Sequence, residues 1–490
     1  MGGGLAGLGA GACLADAGFE VEIIEKRPVL GGRASSFLPP GEALGSAGRI
    51  DNCQHVLLGC CTNLIDFFRR TGTLGSFRFY NSFLFLGPRG ASRMAASLLP
   101  EPLHLLPSLL SFRDLDWRDR WSIARAMRAI LRQNDSVPDE PLIDWLKRQR
   151  QTGPAIENFW RVVLTSALNE DLERVSSRHA FKVFLDGFLA NRRGYRMGVP
   201  AIPLSDLYSS KILSERCTLR LGVNASELEL DGRKISRVRL REGGESQADY
   251  YISTLPPDAL RHLLPDDLSE LWPELGKMGD LEWSPITGIH LWFDRPITSL
   301  DHAAIVGRTI QWMFNHSAIS KRSEPRPAPH SPPCGPEPTG GGAGLRTPGR
   351  PEGSGPVDNT QYIQLVVSAS RSLMNMKRDD LLELALRELR ELFPKTSKAT
   401  LLKAVVVKES KATLSPRPGI DALRLGTRTP FDNLFLAGDW TQTGWPFTME
   451  GAVRSGYRAA ELVTETAGQP RTFLQPDLPV APLVRLLGRF

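Results

Sequence analysis

Three glycines at the very start of the chain decide how it must begin to fold. Gly2, Gly4 and Gly7 supply the spacing G-x-G-x-x-G. In that pattern the first glycine allows a tight turn, the second lets the backbone approach a pyrophosphate, and the third lets the following helix pack close on a sheet. Leu5 to Ala17 reads as a helix of small residues whose N-terminus faces the phosphates, and Gly18 stops it. Val21–Ile24 is a short apolar strand closed by Glu25. An acid about 20 residues past the glycines can bind a ribose hydroxyl. The strand that should precede the glycines is missing, and it would be the central strand of the sheet. Burying such a strand is worth roughly 8–12 kcal/mol, comparable to a domain's whole stability, so a start upstream of Met1 is expected.

A second glycine pair, Gly31 and Gly32, stands before Arg33. In two-dinucleotide-binding flavoproteins, E-x(5)-G-G-R after the second strand lets the backbone and an arginine approach the FAD diphosphate. The spacing from Glu25 to Gly31 fits, which turns the expectation from NAD to FAD. Near the other end, 433–440 reads as a buried strand running into Gly438-Asp439, and 448–456 opens a helix with small residues. Asp439 offers a carboxylate to a ribityl or ribose hydroxyl. The helix N-terminus, with Glu450, Gly451 and Ala452, is aimed at the electron-rich edge of a flavin. Val223, where a β pattern resumes, is grouped with the same site.

The fold class expected is therefore α/β: a Rossmann-like FAD-binding domain interleaved with a largely helical α+β substrate domain. The FAD-binding domain is read as 1–70, 211–262 and 425–468, the substrate domain as 71–210 and 263–424, and 469–490 as a tail. At 490 residues two joined domains are the default. A net charge of +6 is mild; it suits an anionic lipid surface and gives no argument for nucleic acid. The six cysteines have no C-x-x-C and no metal-type spacing, so a reduced, cytoplasmic chain without a metal site is expected.

Residues 94–112 are apolar but broken by Pro100, Pro102 and Pro107, which no buried helix tolerates. They form either a patch dipping into a membrane interface, placing the protein on the inner face of the cell membrane, or a lid inside the protein. Residues 117–132 read as a basic amphipathic helix, 285–295 as a half-buried strand, 404–407 as a strand, and 319–357 as a disordered Pro/Gly/Ser/Arg insertion. The apolar-basic tail is either a second anchor or a loose end. Asp51, Asn52, Gln54 and His55 beside an apolar run read equally as a pocket lining or as a self-capped turn.

Four blocks carry a resemblance: IDNCQHVLLGCC (50–61), SALNEDLERVSSRHA (166–180), PITGIHLWFDRPI (285–297) and LAGDWTQTGWPFTMEGAVRSGYRAAE (436–461). With them the chain resembles the superfamily of FAD-dependent amine oxidases and phytoene desaturases. Within it, the chain is most similar to the hydroxysqualene dehydroxylases, squalene-associated FAD enzymes of bacterial hopanoid pathways. The resemblance implies hydride delivery from reduced flavin to an allylic carbon as a hydroxyl leaves as water, giving squalene. It implies a long apolar isoprenoid substrate in an aromatic-lined tunnel reached from a membrane, with squalene-pathway enzymes as partners. A leaving hydroxyl needs a proton donor; His55, with Gln54, is the candidate for that donor or for orienting substrate, a structural histidine being the alternative. Two rival readings share the motifs: a carotenoid or squalene-type desaturase, and a non-catalytic isoprenoid-binding protein.

Overall fold

The computed structural model describes all residues except 40–47, 134–138, 209–214, 216, 266–271, 322–358 and 489–490. Its nucleotide-binding part is built on the helix Leu5–Asp16, whose alanines and glycines leave almost no side-chain thickness. It crosses the helix Met449–Thr466 so closely that a Cβ on Gly456 would lie 2.1 Å from the Ala6 carbonyl oxygen. Two parallel strand pairs lie beside these helices, Val21–Glu25 with Cys217–Leu221 and Tyr251–Ser253 with Leu434–Leu436. Met1 and Gly2 bridge the two pairs. The Gly2 amide donates to Ile24 O at 2.8 Å, the Met1 amino group to Ile252 O at 2.8 Å, and the Thr254 amide to Met1 O at 2.9 Å. Among the described residues no strand lies between Val21–Glu25 and Tyr251–Ser253. The Met1 amino group is buried, and the loss of hydration lowers its pKa to about 6.

The second part rests on a seven-stranded sheet. Its order is Leu401–Leu414, Trp283–Phe293, Gln361–Ser368, Trp312–Asn315, His302–Ile305, Ser82–Gly87 and Gly90–Ala95. One face, with Ile289, Leu291, Ile363 and Leu365, packs on Leu381, Ala385 and Leu389 of the helix Arg378–Leu392. Ile286, Trp312, Phe314 and Val366 pack instead with a helical layer that includes Trp160, Leu164, Phe181 and Phe184.

Several expectations change here. The strand placed at 285–295 spans Trp283–Phe293 and is covered on both faces, because it lies inside the sheet between two helical layers. The strand at 404–407 extends over Leu401–Leu414. The segment 71–210 is not wholly helical: Ser82–Gly87 and Gly90–Ala95 extend the large sheet, so 94–112 begins as strand, and His104 and Phe112 are buried. The tail is docked: Ala481 N–H donates to Ala190 O at 3.0 Å and Val484 is buried in the helical core. Of the expected insertion, Ile319 is buried in the helix His316–Lys321; 322–358 lie outside the described residues.

The 166–180 block acts as a clamp. Asn169 Nδ2 donates to Ser284 O at 3.0 Å and to Thr413 Oγ1 at 2.9 Å, and Asn169 Oδ1 accepts the Ala369 amide at 2.7 Å. Glu170, fully buried, receives both guanidinium nitrogens of Arg371 at 2.6 Å. Helical layer and sheet are thereby held together by buried polar bonds, to which Ser415 Oγ adds a further donor for Glu170.

Candidate active site

The N-terminal turn is shaped for backbone contact. A Cβ on Gly7 would lie 2.0 Å from Gly2 O, so the helix can begin only if residue 7 has no side chain. Gly31 and Gly32 have φ of +101° and +60°, a region that favours glycine. A Cβ on Gly32 would stand 3.0 Å from Gly4 Cα, and Gly31 N–H donates to Gly3 O at 2.8 Å. The two glycine turns thus lie back to back at the start of a helix, leaving a wall of backbone suited to a diphosphate.

Glu25 is buried beside this wall. Its carboxylate accepts the Gly3 amide at 2.7 Å and the Arg27 amide at 2.8 Å, and its carbonyl accepts the Val223 amide at 3.1 Å. Glycines, acid and Val223 therefore form one bonded unit. Arg33 reaches across the cleft to Asp439: Nη2 lies 2.5 Å from Asp439 Oδ1, while Nη1 donates to Ala412 O at 3.2 Å. Gly438 N–H donates to Ser455 Oγ at 2.7 Å, tying the Gly-Asp corner to the helix Met449–Thr466. At that helix start Thr448 Oγ1 accepts the Gly451 amide at 3.2 Å, and Thr448 O accepts the Ala452 amide at 3.0 Å. Glu450 points the other way. It accepts from Asn63 N, Asn63 Nδ2, Leu64 N and Arg454 Nε, capping the helix Thr62–Arg70. Its role is to seat two helices, and its neighbours supply the backbone that faces the cleft.

One organising residue escaped the sequence reading. Arg424, buried, donates to the carbonyl oxygens of Asp439, Thr441 and Trp445 at 2.8, 2.7 and 2.7 Å, and so shapes the whole loop after Gly438. A lone arginine in the run DALRLGT gave no signal of this. It also borders a cavity of about 360 Å3 lined by Arg178, His179, Lys182, Asp421 and Trp445. Burial pushes the Asp421 carboxyl up, but His179 at 3.1 Å and Arg424 at 3.2 Å outweigh it and hold the pKa at about 2.

The 50–55 block runs from this cradle over the large sheet. Asn52 Nδ2 donates to Arg33 O, and Asn52 N to Ser35 O at 3.1 Å. Gln54 Nε2 donates to His55 O at 3.0 Å, while Gln54 Oε1 is buried without a hydrogen-bond partner among the described residues. His55 Nδ1 lies 2.9 Å from Cys53 O. A carbonyl only accepts, so Nδ1 carries the proton and Nε2 is the acceptor. Burial lowers the His55 pKa to about 4. This geometry favours orientation over proton donation: near neutral pH the ring is uncharged and its one N–H is already committed.

Facing this block, the sheet carries polar groups the sequence reading passed over. His290 Nδ1 lies 2.7 Å from Tyr362 Oη, and His316 Nε2 lies 2.7 Å from Gln364 Oε1. Their signal was the alternation in GIHLWF and QYIQLV, where His290, Trp292, Tyr362 and Gln364 share one face and Ile289, Leu291, Ile363 and Leu365 the other. Trp440 and Trp445 are buried, and Trp440 Nε1 donates to Leu255 O at 3.1 Å, so Trp440 packs in the nucleotide-binding core.

The comparisons with known proteins identify the family and the fold. The pattern of the family described as flavin containing amine oxidoreductase matches residues 5–464. The 15-cis-phytoene desaturase of Synechococcus elongatus is 25% identical over 486 residues, covering 94% of each chain. The chloroplastic/chromoplastic 15-cis-phytoene desaturase of Solanum lycopersicum is 24% identical, over 95% of this chain and 77% of its own. Among solved structures, an oxidoreductase from Methanosarcina mazei superposes with a TM-score of 0.68 at 18% identity, covering 94% of this chain and 98% of its own. The backbone wall, the acid and the Gly-Asp corner fit FAD, and the chain belongs to the flavin-containing amine oxidoreductase family.

Proposed function

We propose that this protein is an FAD-dependent oxidoreductase of the desaturase type, removing two hydrogens from a long isoprenoid chain. The observation that carries the reading is the similarity to phytoene desaturases along 94–95% of the chain. Bound FAD supplies two-electron chemistry, taking up the equivalent of a hydride or, in the opposite direction, giving it. The protein's own residues do the rest. Gly2, Gly4, Gly31 and Gly32 offer backbone to the diphosphate, Glu25 a carboxylate to the ribose, and Arg33 with Asp439 closes the cleft. His55 presents Nε2 as an acceptor beside the cofactor motif.

Phe83 lies 6.2 Å from Trp312 and 6.5 Å from Phe188, so the layer between sheet and helices is apolar and water-excluding. Its rings pack on one another, so a long substrate would have to part them. An apolar substrate dissolves in lipid, and the surface offers a place to collect it. Leu98 is 99% exposed and Leu486 81%, with Leu99, Leu103, Leu110 and Leu487 also exposed. Segments 99–101 and 479–481 both bond to residues 190–192, which brings the two apolar edges together: Arg192 Nη2 donates to Leu99 O and Asn191 Nδ2 to Pro479 O. No helix among the described residues is long and apolar enough to cross a membrane, so contact would be with one leaflet.

Dehydroxylation of hydroxysqualene is the second reading. It uses the same cradle in the reducing direction: hydride and a proton are consumed, and the hydroxyl leaves as water. It is favoured by the polar groups His290 and Gln364 on the sheet face. The test is to incubate the purified flavoprotein anaerobically with phytoene and a quinone acceptor, and separately with hydroxysqualene and reduced FAD. A lengthened conjugated polyene in the first reaction is the expected result. Squalene in the second alone would replace the first reading by the second, and no product in either would overturn both.

A further inference from the structure

Resting on the reading that the cleft takes an isoprenoid, we infer that the sheet face above Gly288 is a subsite for a single hydroxyl or carbonyl oxygen of the substrate. A Cβ on Gly288 would stand 3.5 Å from His290 Nε2, 3.7 Å from Asn52 O and 3.9 Å from Gln364 Nε2. Three polar atoms thus ring the space beyond the Gly288 Cα, which a side chain at residue 288 would begin to fill. His290 and Gln364 are fully buried, and both Nε2 atoms are without hydrogen-bond partners among the described residues. A buried donor left unsatisfied carries a desolvation penalty that a pure hydrocarbon cannot relieve. An oxygen standing off the Gly288 Cα, within reach of the two Nε2 atoms, relieves it.

Gln364 Nε2 is pre-set as a donor, and His290 Nε2 is one in the tautomer in which Tyr362 Oη donates to Nδ1. Gln364 Oε1 only accepts, so His316 Nε2 carries the proton between them, and the Gln364 amide nitrogen is turned toward Gly288. His290 is held by Tyr362 Oη at 2.7 Å. Burial lowers His290 to about 3 and His316 to about 4, so both rings are neutral near pH 7 and the subsite suits an uncharged group. A hydroxyl fits all three atoms: it accepts from Gln364 Nε2, shares a hydrogen bond with His290 Nε2 and donates to Asn52 O. The location is fitting, because Asn52 is bonded to Arg33 O and Ser35 O in the cofactor motif.

The test compares binding of hydroxysqualene and squalene to the FAD-loaded protein by perturbation of the flavin absorption, in the wild type, Gly288→Ala and Gln364→Leu, with flavin content measured for each. The alcohol is expected to bind about tenfold more tightly than the hydrocarbon in the wild type, as one or two added hydrogen bonds provide. Both variants should lose that preference while still binding squalene. Equal binding of the two ligands by the wild type overturns the subsite and leaves the isoprenoid reading standing, the point then holding no more than a water. A preference that survives in both flavin-loaded variants overturns it likewise. Binding of neither ligand by the FAD-loaded wild type overturns the isoprenoid reading and the subsite together. The wild-type comparison decides the matter even if a variant fails to fold.

Discussion

The Arg33 guanidinium lies 2.5 Å from the Asp439 carboxylate, joining two glycine motifs that stand 406 residues apart. Asp439 is buried and Arg33 partly so, and the pair ties the N-terminal cofactor loop to the strand Leu434–Leu436. Replacing Arg33 by Met should weaken FAD binding about tenfold or more, since a hydrogen bond to a charged group contributes roughly 1.5–3 kcal/mol. Titration of the apoprotein by flavin fluorescence quenching measures this; unchanged affinity would remove the pair from the cofactor site.

Gly7→Ala should abolish FAD retention, because its Cβ would collide with backbone, Gly2 O at 2.0 Å, which cannot move without opening the turn. Gly75→Ala, where nothing lies within 4 Å, is the control. The ratio of flavin to protein absorbance reads both.

Arg371→Leu should destabilise the protein by about 1.5–3 kcal/mol, because it takes both Nη bonds from the buried Glu170 carboxylate and leaves it with Ser415 Oγ and, at 3.6 Å, Arg174 Nε. Urea unfolding, followed by fluorescence of Trp283 and its neighbours, should show the lower midpoint. A change under about 1 kcal/mol would mean that the polar clamp between layers is not a main source of stability.

Acid should weaken the fold well before the carboxylates are neutralised. Burial lowers His55, His302 and His316 to about 4 and His290 to about 3. The unfolded chain takes up these protons near pH 6.5, and the folded one only near 3–4, so their stabilisation is complete above 6.5 and lost as pH falls toward 4. At pH 5 this amounts to at most ~2 kcal/mol per histidine. Asp51 opposes it: burial raises its pKa to about 6, so its contribution is present at low pH and fades as pH rises through 6. His104, also lowered by burial, adds to the loss, and Glu450 and Asp171, raised by burial, side with Asp51, so five histidines stand against three acids and the net is a loss on acidification. Urea midpoints at pH 7 and pH 5 should therefore differ, with pH 5 the lower; the reverse order would contradict the burial of these rings.

Leu98→Glu together with Leu486→Glu should reduce co-sedimentation with anionic vesicles severalfold while leaving flavin content unchanged, because both side chains are exposed and far from the cradle in sequence. Equal sedimentation of variant and parent would place the lipid contact elsewhere or nowhere.

What could be read from the chain alone was local. Gly2, Gly4, Gly7 and Glu25 lie within one supersecondary unit, so spacing specifies their geometry before any tertiary contact forms, and Gly31 and Gly32 extend it by one turn. The strand Trp283–Phe293 was found, but its double burial was not, because alternation records the side chains of one strand and not what later covers each face. Glu450 sat in a motif that suggested the cofactor, and only packing showed that its carboxylate caps another helix. Arg424 carries no spacing signal at all, and alternation puts His290 and Gln364 each on one face of its own strand without showing that they meet, since their partners come from strands and loops tens to hundreds of residues away. Short-range backbone geometry thus determined that this chain binds a dinucleotide. Long-range burial, which decides which polar atoms are satisfied and which are left without a partner among the described residues, was settled only when the sheet closed under residues 51–55.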